Sequence, residues 1–142
     1  MTIDEYKALT ERKGRRKPRH LESKIQAACV AWFRAAFPGY LVFSVPNGGS
    51  RNAVEAANLK REGAMAGVSD LIVLAERAVL FVEMKAAKGR QSQHQKEFEQ
   101  RVTRLGFRYV VCRTLSDFSV QVTKWIKENN INNQPNNKEN GK

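Results

Sequence analysis

Residues 67–85 read GVSDLIVLAERAVLFVEMK, two apolar runs, VSDLIVL and AVLFVEMK, divided by Glu76 and Arg77. Short runs rich in branched and aromatic residues read as strands, and a two-residue divider reads as a hairpin, although Glu-Arg is not a preferred turn pair. With the turn centred between Glu76 and Arg77, Leu74 faces Val79, Ile72 faces Phe81 and Asp70 faces Glu83. Side chains of a strand alternate between faces. Asp70, Ile72, Leu74, Val79, Phe81, Glu83 and Lys85 therefore share one face, and Leu71, Val73, Leu80, Val82 and Met84 share the other. Both faces are mostly apolar, so both are expected to be covered.

The same pairing raises a problem of charge. Asp70 and Glu83 become cross-strand neighbours with β-carbons about 4.5–5.5 Å apart, a separation at which like charges destabilise a sheet. Lys85, two residues past Glu83 on the same face, offsets one charge; a bound divalent cation would offset both. Two carboxylates, a main-chain carbonyl and water form an oxygen-only donor set that suits magnesium or manganese rather than zinc. The competing reading is a structural Asp-Glu-Lys cluster satisfied by hydrogen bonds. A slip of one residue in register would put the acids on opposite faces and remove the argument for either.

On the N-terminal side, Leu21, Ile25, Ala28, Cys29, Trp32 and Ala36 recur at helical spacing from about His20, and Pro38-Gly39 ends the helix. Glu22 and Gln26 lie one turn apart beside the apolar stripe, where they can face a cleft. Tyr40 to Val45 reads as a strand closed by Pro46-Asn47-Gly48-Gly49. Ser50 and Arg51 follow, then a short helix, NAVEAANLKRE, stopped by Gly63. On the C-terminal side, Lys85 to Gln91 is a polar loop. Ser92 is an N-cap for a helix to about Leu105 with Phe98, Val102 and Leu105 on one face, and Gly106 stops it. FRYVVC is a further strand, and Thr114 or Ser116 caps a last helix through Trp125. The closing ENNINNQPNNKENGK is asparagine-rich and reads as a tail. The fold class is α/β, with helices packed on a sheet.

A chain of 142 residues is the length of one domain. It divides into a basic arm over residues 1–19, a folded domain over 20–128 and a disordered asparagine-rich tail over 129–142. Lysine and arginine number 25 against 14 acids, for a net charge of +11. That balance implies a polyanionic partner, nucleic acid being the commoner one, against the plainer reading of charge that maintains solubility. The arm holds RKGRRKPR from Arg12 to Arg19, either a solvated tail or a phosphate-tracking segment. No apolar run approaches the ~18 residues of a membrane span and no signal peptide precedes the domain, so the expectation is a soluble, cytoplasmic protein without a membrane partner. Cys29, Cys112, His20 and His94 offer no zinc spacing. No phosphate-cradling nucleotide motif occurs, and no nucleotide cofactor is expected.

Asp70 followed by Glu83-Met84-Lys85 resembles the PD-(D/E)xK nuclease motif. The order of elements resembles the restriction-endonuclease-like αβββαβ core of that superfamily, a mixed sheet flanked by helices. The closer resemblance is to the VRR-NUC branch, found in phage and bacterial proteins and in eukaryotic interstrand-crosslink repair nucleases, and related to archaeal Holliday-junction resolvases. It covers roughly residues 20–126 and rests on Glu22-Ser23 with Gln26, Asn47-Gly48-Gly49 with Arg51, Gly67-Val68-Ser69-Asp70, Val82-Glu83-Met84-Lys85, and Gly89 to Gln95. Ser69 stands where the superfamily name has proline, and the stretch around Ser92 and Gln95 matches more loosely.

The resemblance implies hydrolysis of DNA phosphodiesters with Mg2+ or Mn2+ held by Asp70, Glu83, the Met84 carbonyl and Glu22. Lys85 would orient the attacking water, and Gln95 would reach back to the site from its helix or else be a plain surface glutamine. Arg51, Asn47, Gly48, Lys60, Arg61, Lys88 and Arg90 would grip DNA. By analogy the substrate is branched DNA, a Holliday junction or flap met in repair or recombination, and the protein a homodimer. The alternative is a non-catalytic nucleic-acid-binding protein using the same basic surface.

Overall fold

The two apolar runs form the centre of a four-stranded sheet. The structure, a computed structural model, describes residues 2–4, 18–46 and 52–132. The strands are β1 (Leu41–Ser44), β2 (Leu71–Ala75), β3 (Ala78–Met84) and β4 (Arg108–Cys112), in spatial order β1-β2-β3-β4. β1 and β3 run antiparallel to β2, and β4 runs parallel to β3. The hairpin register is the expected one, with Ile72 opposite Phe81 and Leu74 opposite Val79. Arg77 takes the turn's left-handed position, φ 56°. β2 begins at Leu71, so Asp70 stands just outside the ladder at the open end of the hairpin.

Four helices flank this sheet: α1 (Pro18–Ala36), α2 (Ala53–Arg61), α3 (Gln93–Arg104) and α4 (Leu115–Asn132). Leu71, Val73, Leu80, Val82 and Met84 are all buried, in one core with Cys29 and Phe33 of α1 and Phe118, Val122, Trp125 and Ile126 of α4. On the opposite face α3 sets Phe98 against Phe81 and Tyr109, with ring centroids 5.4 and 6.3 Å apart. There the cover stops short of the edge strand β1. Leu41 and Phe43 of β1 point to the α3 side, opposite Leu74 and Ile72, and are 62% and 43% exposed. A helix about 10 Å across spans roughly two strands spaced about 4.8 Å. Two helices on the first face can cover four strands, and α3 alone cannot.

Two boundaries differ from the sequence reading. α1 starts at Pro18, a residue whose fixed φ and missing N–H suit the first helical position. Its Leu21, placed on the apolar stripe by spacing, is 56% exposed because the core contacts of α1 centre on Cys29 and Phe33 further along. α4 continues past Trp125 to Asn132. Trp125 and Ile126 are buried, the Asn129 side chain donates to the Trp125 carbonyl, and the Tyr40 hydroxyl reaches Asn130, so packing carries the helix into asparagines that read as tail. α2, capped by Asn52 through the Glu55 N–H, has no buried residue. Most of the basic arm, the loop over residues 47–51 and the tail from 133 onward lie outside the described residues. No described helix is long and apolar enough to cross a membrane.

Candidate active site

Because β2 and β3 are antiparallel and β4 is parallel to β3, the start of β2 and the ends of β3 and β4 meet at one edge of the sheet. Asp70, Glu83 and Lys85 are gathered there by topology alone. The Met84 N–H donates to Asp70 Oδ2 at 2.8 Å, while the Lys85 N–H turns the other way, to the Cys112 carbonyl at 3.0 Å. Within a strand a residue's N–H and C=O point to the same side. The Met84 carbonyl therefore faces the Asp70 side. Ser69, fully buried, donates its hydroxyl to the Leu71 carbonyl at 3.1 Å. That bond closes the bend before Asp70 where the motif's proline would otherwise restrict the chain.

Glu83 is 1% exposed. Its Oε1 accepts from Gln95 Nε2 at 2.9 Å and lies 3.7 Å from the Lys85 ammonium. Its Oε2 is buried with no partner. Burial first, and the neighbouring Asp70 carboxylate second, push the Glu83 pKa up from 4.5 to about 8. Lys85 opposes the shift without cancelling it. An orphaned buried carboxylate oxygen costs on the order of 1–3 kcal/mol or more. Asp70, Glu83 and the Met84 carbonyl are hard oxygen donors, and a divalent cation held by them would offset that penalty, so the residues present fit such a metal.

Gln95 uses both ends of its side chain. Its Oε1 accepts from the Ser92 N–H at 2.8 Å, its own N–H donates to Ser92 Oγ at 3.2 Å, and its Nε2 holds Glu83. The capping box that starts α3 is thus the device that orients the buried acid. Gly67 sets the distance between them. At φ 84°, its backbone lies so close to α3 that a Cβ there would stand 2.2 Å from the His94 carbonyl oxygen.

Glu22, on α1, accepts from the Ala86 N–H at 3.0 Å through Oε1, one residue beyond Lys85. Among the described residues no three acids, histidines or cysteines gather closely enough to hold a metal by themselves, so Glu22 stands off from the Asp70–Glu83 pair. Of the expected DNA contacts, Lys60 and Arg61 are exposed on the last turn of α2, and Lys88 and Arg90 are exposed on the loop after β3. Arg51, Asn47 and Gly48 lie outside the described residues.

Two groups near the site escaped the sequence reading. Arg113, just past β4, donates through Nη1 to the carbonyls of Ala86 at 2.7 Å and Gly89 at 2.8 Å. Tyr109 and Glu99 meet at Gln91, whose Nε2 donates to both, at 3.3 and 3.0 Å. Neither carries a spacing signal, because each partner is distant in sequence or joined through a loop. Cys29 and Cys112 are buried, which raises their pKa values to about 11 and 12 and leaves them as inert core thiols.

A family model described as the VRR-NUC domain matches residues 20–115. A solved structure titled "VRR_NUC domain protein" is similar at 24% identity and a TM-score of 0.62, covering 75% of this chain and 88% of that one. Another, titled "VRR_NUC domain", is similar at 22% identity and a TM-score of 0.54, covering 73% of this chain and 96% of that one. At those identities the structural likeness is one of fold. No curated protein matches the chain.

Proposed function

The chain belongs to the VRR-NUC domain family, a nuclease-type family, and from that premise we propose that it is a Mg2+- or Mn2+-dependent endonuclease that hydrolyses phosphodiester bonds in branched DNA. The observation that carries the reading is the Glu83 carboxylate, buried beside Asp70 with Oε2 left without a partner. Such an acid is poorly explained as structure and well explained as a ligand.

Asp70, Glu83 and the Met84 carbonyl would hold the metal. Glu22, with Oε1 committed to the Ala86 N–H, would help hold it directly or through water. A bound divalent cation supplies a water of lowered pKa and neutralises charge on the pentacovalent phosphorus. Gln95 fixes the rotation of the Glu83 carboxylate, so that Oε1 is occupied and Oε2 is left for the cation. Lys85, its side chain 13% exposed and anchored beside Glu83, orients the attacking water and sets a positive charge against the developing oxyanion. No histidine base is required. His94 is an exposed helix residue 3.8 Å from Glu97.

Lys88 and Arg90, with Lys60 and Arg61, would carry the flanking phosphates, joined by Arg51 and the Asn47–Gly48 loop. No motif that reads base edges is present, which favours recognition of DNA shape: a Holliday junction or a flap. A homodimer with one subunit on each arm completes the reading, acting in the cytoplasm of a bacterial or phage-infected cell on repair or recombination intermediates. The test is incubation of labelled junction, flap and linear DNA with magnesium, then with EDTA. Metal-dependent products from branched substrates are expected; binding with no metal-dependent product would favour a non-catalytic binding protein.

A further inference from the structure

β3, which carries Glu83, runs through Lys85 into a short turn whose charged side chain is Lys88, with Arg90 just after it. Nothing apolar anchors this turn: Ala87 and Lys88 are exposed, and Gly89 and Ala86 only half-buried. Its internal bond is one, from the Gly89 N–H to the Ala86 carbonyl at 2.9 Å. A turn so placed should sample many shapes, yet three of its carbonyls converge on a single side chain. Arg113 Nη1 donates to Ala86 at 2.7 Å, to Gly89 at 2.8 Å and to Ala87 at the longer 3.4 Å. On the far side Glu22 takes the Ala86 N–H. The Ala86 peptide is thus held from α1 at its nitrogen and from the end of β4 at its oxygen.

The base of Arg113 is itself fixed. Its backbone N–H donates to Asp117 Oδ2 at 3.1 Å, and Asp117 belongs to the first turn of α4, where its N–H meets Thr114 Oγ1 at 3.0 Å. Cys112, the preceding residue, is buried and accepts the Lys85 N–H. From that fixed base the guanidinium aims Nη1 inward at carbonyl oxygens. With those oxygens turned toward it, Lys88 and Arg90 are left exposed on the solvent side.

We infer that Arg113 is a positioning residue for nucleic-acid binding: it clamps the 86–89 turn so that Lys88 and Arg90 meet two neighbouring phosphates, and does not touch the DNA itself. The inference rests on the DNA-binding part of the proposed function and not on its hydrolytic part. All three contacts fall on one nitrogen, Nη1, whose two N–H groups serve the Ala86 and Gly89 carbonyls while the Ala87 carbonyl lies further off, and the long stem of arginine carries that nitrogen across to the turn. The same clamp bears on the catalytic lysine, because a Cβ on Gly89 would lie 3.4 Å from Lys85 Cδ, so the turn is the wall beside the Lys85 stem.

The experiment is equilibrium binding of a fluorescently labelled duplex oligonucleotide, in EDTA so that nothing is cleaved, across a salt series. The proteins are the wild type, Arg113→Met, Arg113→Gln, the pair Lys88→Ala/Arg90→Ala, and that pair combined with each change at position 113. Each phosphate contact adds about 0.9 to the slope of log affinity against log salt. Arg113→Met is expected to lower the slope by up to about 1.8, as the Lys88/Arg90 pair does. The combined variant should bind no more weakly than the pair alone. Additive losses in the combined variant would overturn the inference, since they mean that position 113 acts as a charge on DNA directly. Should the methionine variant fail to fold, Arg113→Gln, alone and combined with the pair, decides by the same slopes. Binding that behaves as expected in a protein that never cleaves with magnesium would sink the nuclease reading and leave the clamp standing.

Discussion

Metal affinity should depend on pH through Glu83, and the size of the effect follows from its burial. A proton on Glu83 competes with the cation, so the apparent affinity falls by a factor of 1 + 10^(pKa − pH). With the pKa raised to about 8, the factor is about 100 at pH 6 and about 2 at pH 8. Manganese should therefore bind about fifty-fold more tightly at pH 8 than at pH 6, a difference of about 2.3 kcal/mol. With the carboxylate at its ordinary 4.5, the affinity would change by less than about a tenth over the same interval. Isothermal titration calorimetry with manganese at the two pH values reads the difference directly, and the heat in buffers of different ionisation enthalpy counts the proton released. Equal affinities at pH 6 and pH 8 would refute the argument that a buried, acid-flanked Glu83 is the ligand. The sign for stability is opposite. A carboxyl with its pKa raised in the folded state favours folding fully below about 4.5, and that contribution is lost as pH rises through about 8. The metal-free protein should therefore lose thermal stability over this window, and manganese should restore it most at the alkaline end.

Other perturbations separate the parts of the site. Gly67→Ala puts a methyl 2.2 Å from the His94 carbonyl oxygen at a φ of 84°, and urea unfolding should show a loss of about 2 kcal/mol or more together with weaker manganese binding. Gln95→Ala removes both half of the capping box and the donor to Glu83; about 1 kcal/mol of stability and most of the cleavage rate should go, without loss of DNA binding in EDTA. Leu80→Ala, in the fully buried face of β3, should cost about 2–5 kcal/mol, seen as a lower urea midpoint with an unchanged slope.

The hairpin was legible because its two faces are strict. One residue of slip would have put Asp70 and Glu83 on opposite faces and turned one strand's core residues outward, so the register and the meeting of the two acids follow from alternation. Gln95 was reachable from Ser92, since the capping-box spacing places a side chain at the start of α3. What escaped depends on partners far apart in the chain. Arg113 reads as one more surface cation until the parallel pairing of β3 and β4 brings the end of one strand beside the end of the other. The incomplete cover over Leu41 and Phe43 depends on helix width against strand count, which alternation does not encode. The reach of α4 into the asparagines was hidden by composition, because their weak helix propensity is overridden by the burial of Trp125 and Ile126.

The central claim is that Asp70, Glu83 and Lys85 form a metal-dependent phosphodiesterase site, and a single cleavage assay addresses it. Purified wild-type protein and the Asp70→Ala, Glu83→Ala and Lys85→Ala variants are incubated with labelled branched DNA and magnesium or manganese, with binding measured in parallel in EDTA. The account predicts products from the wild type alone, abolished by EDTA, with DNA binding largely retained by all three variants. Full cleavage by any one of them would contradict it.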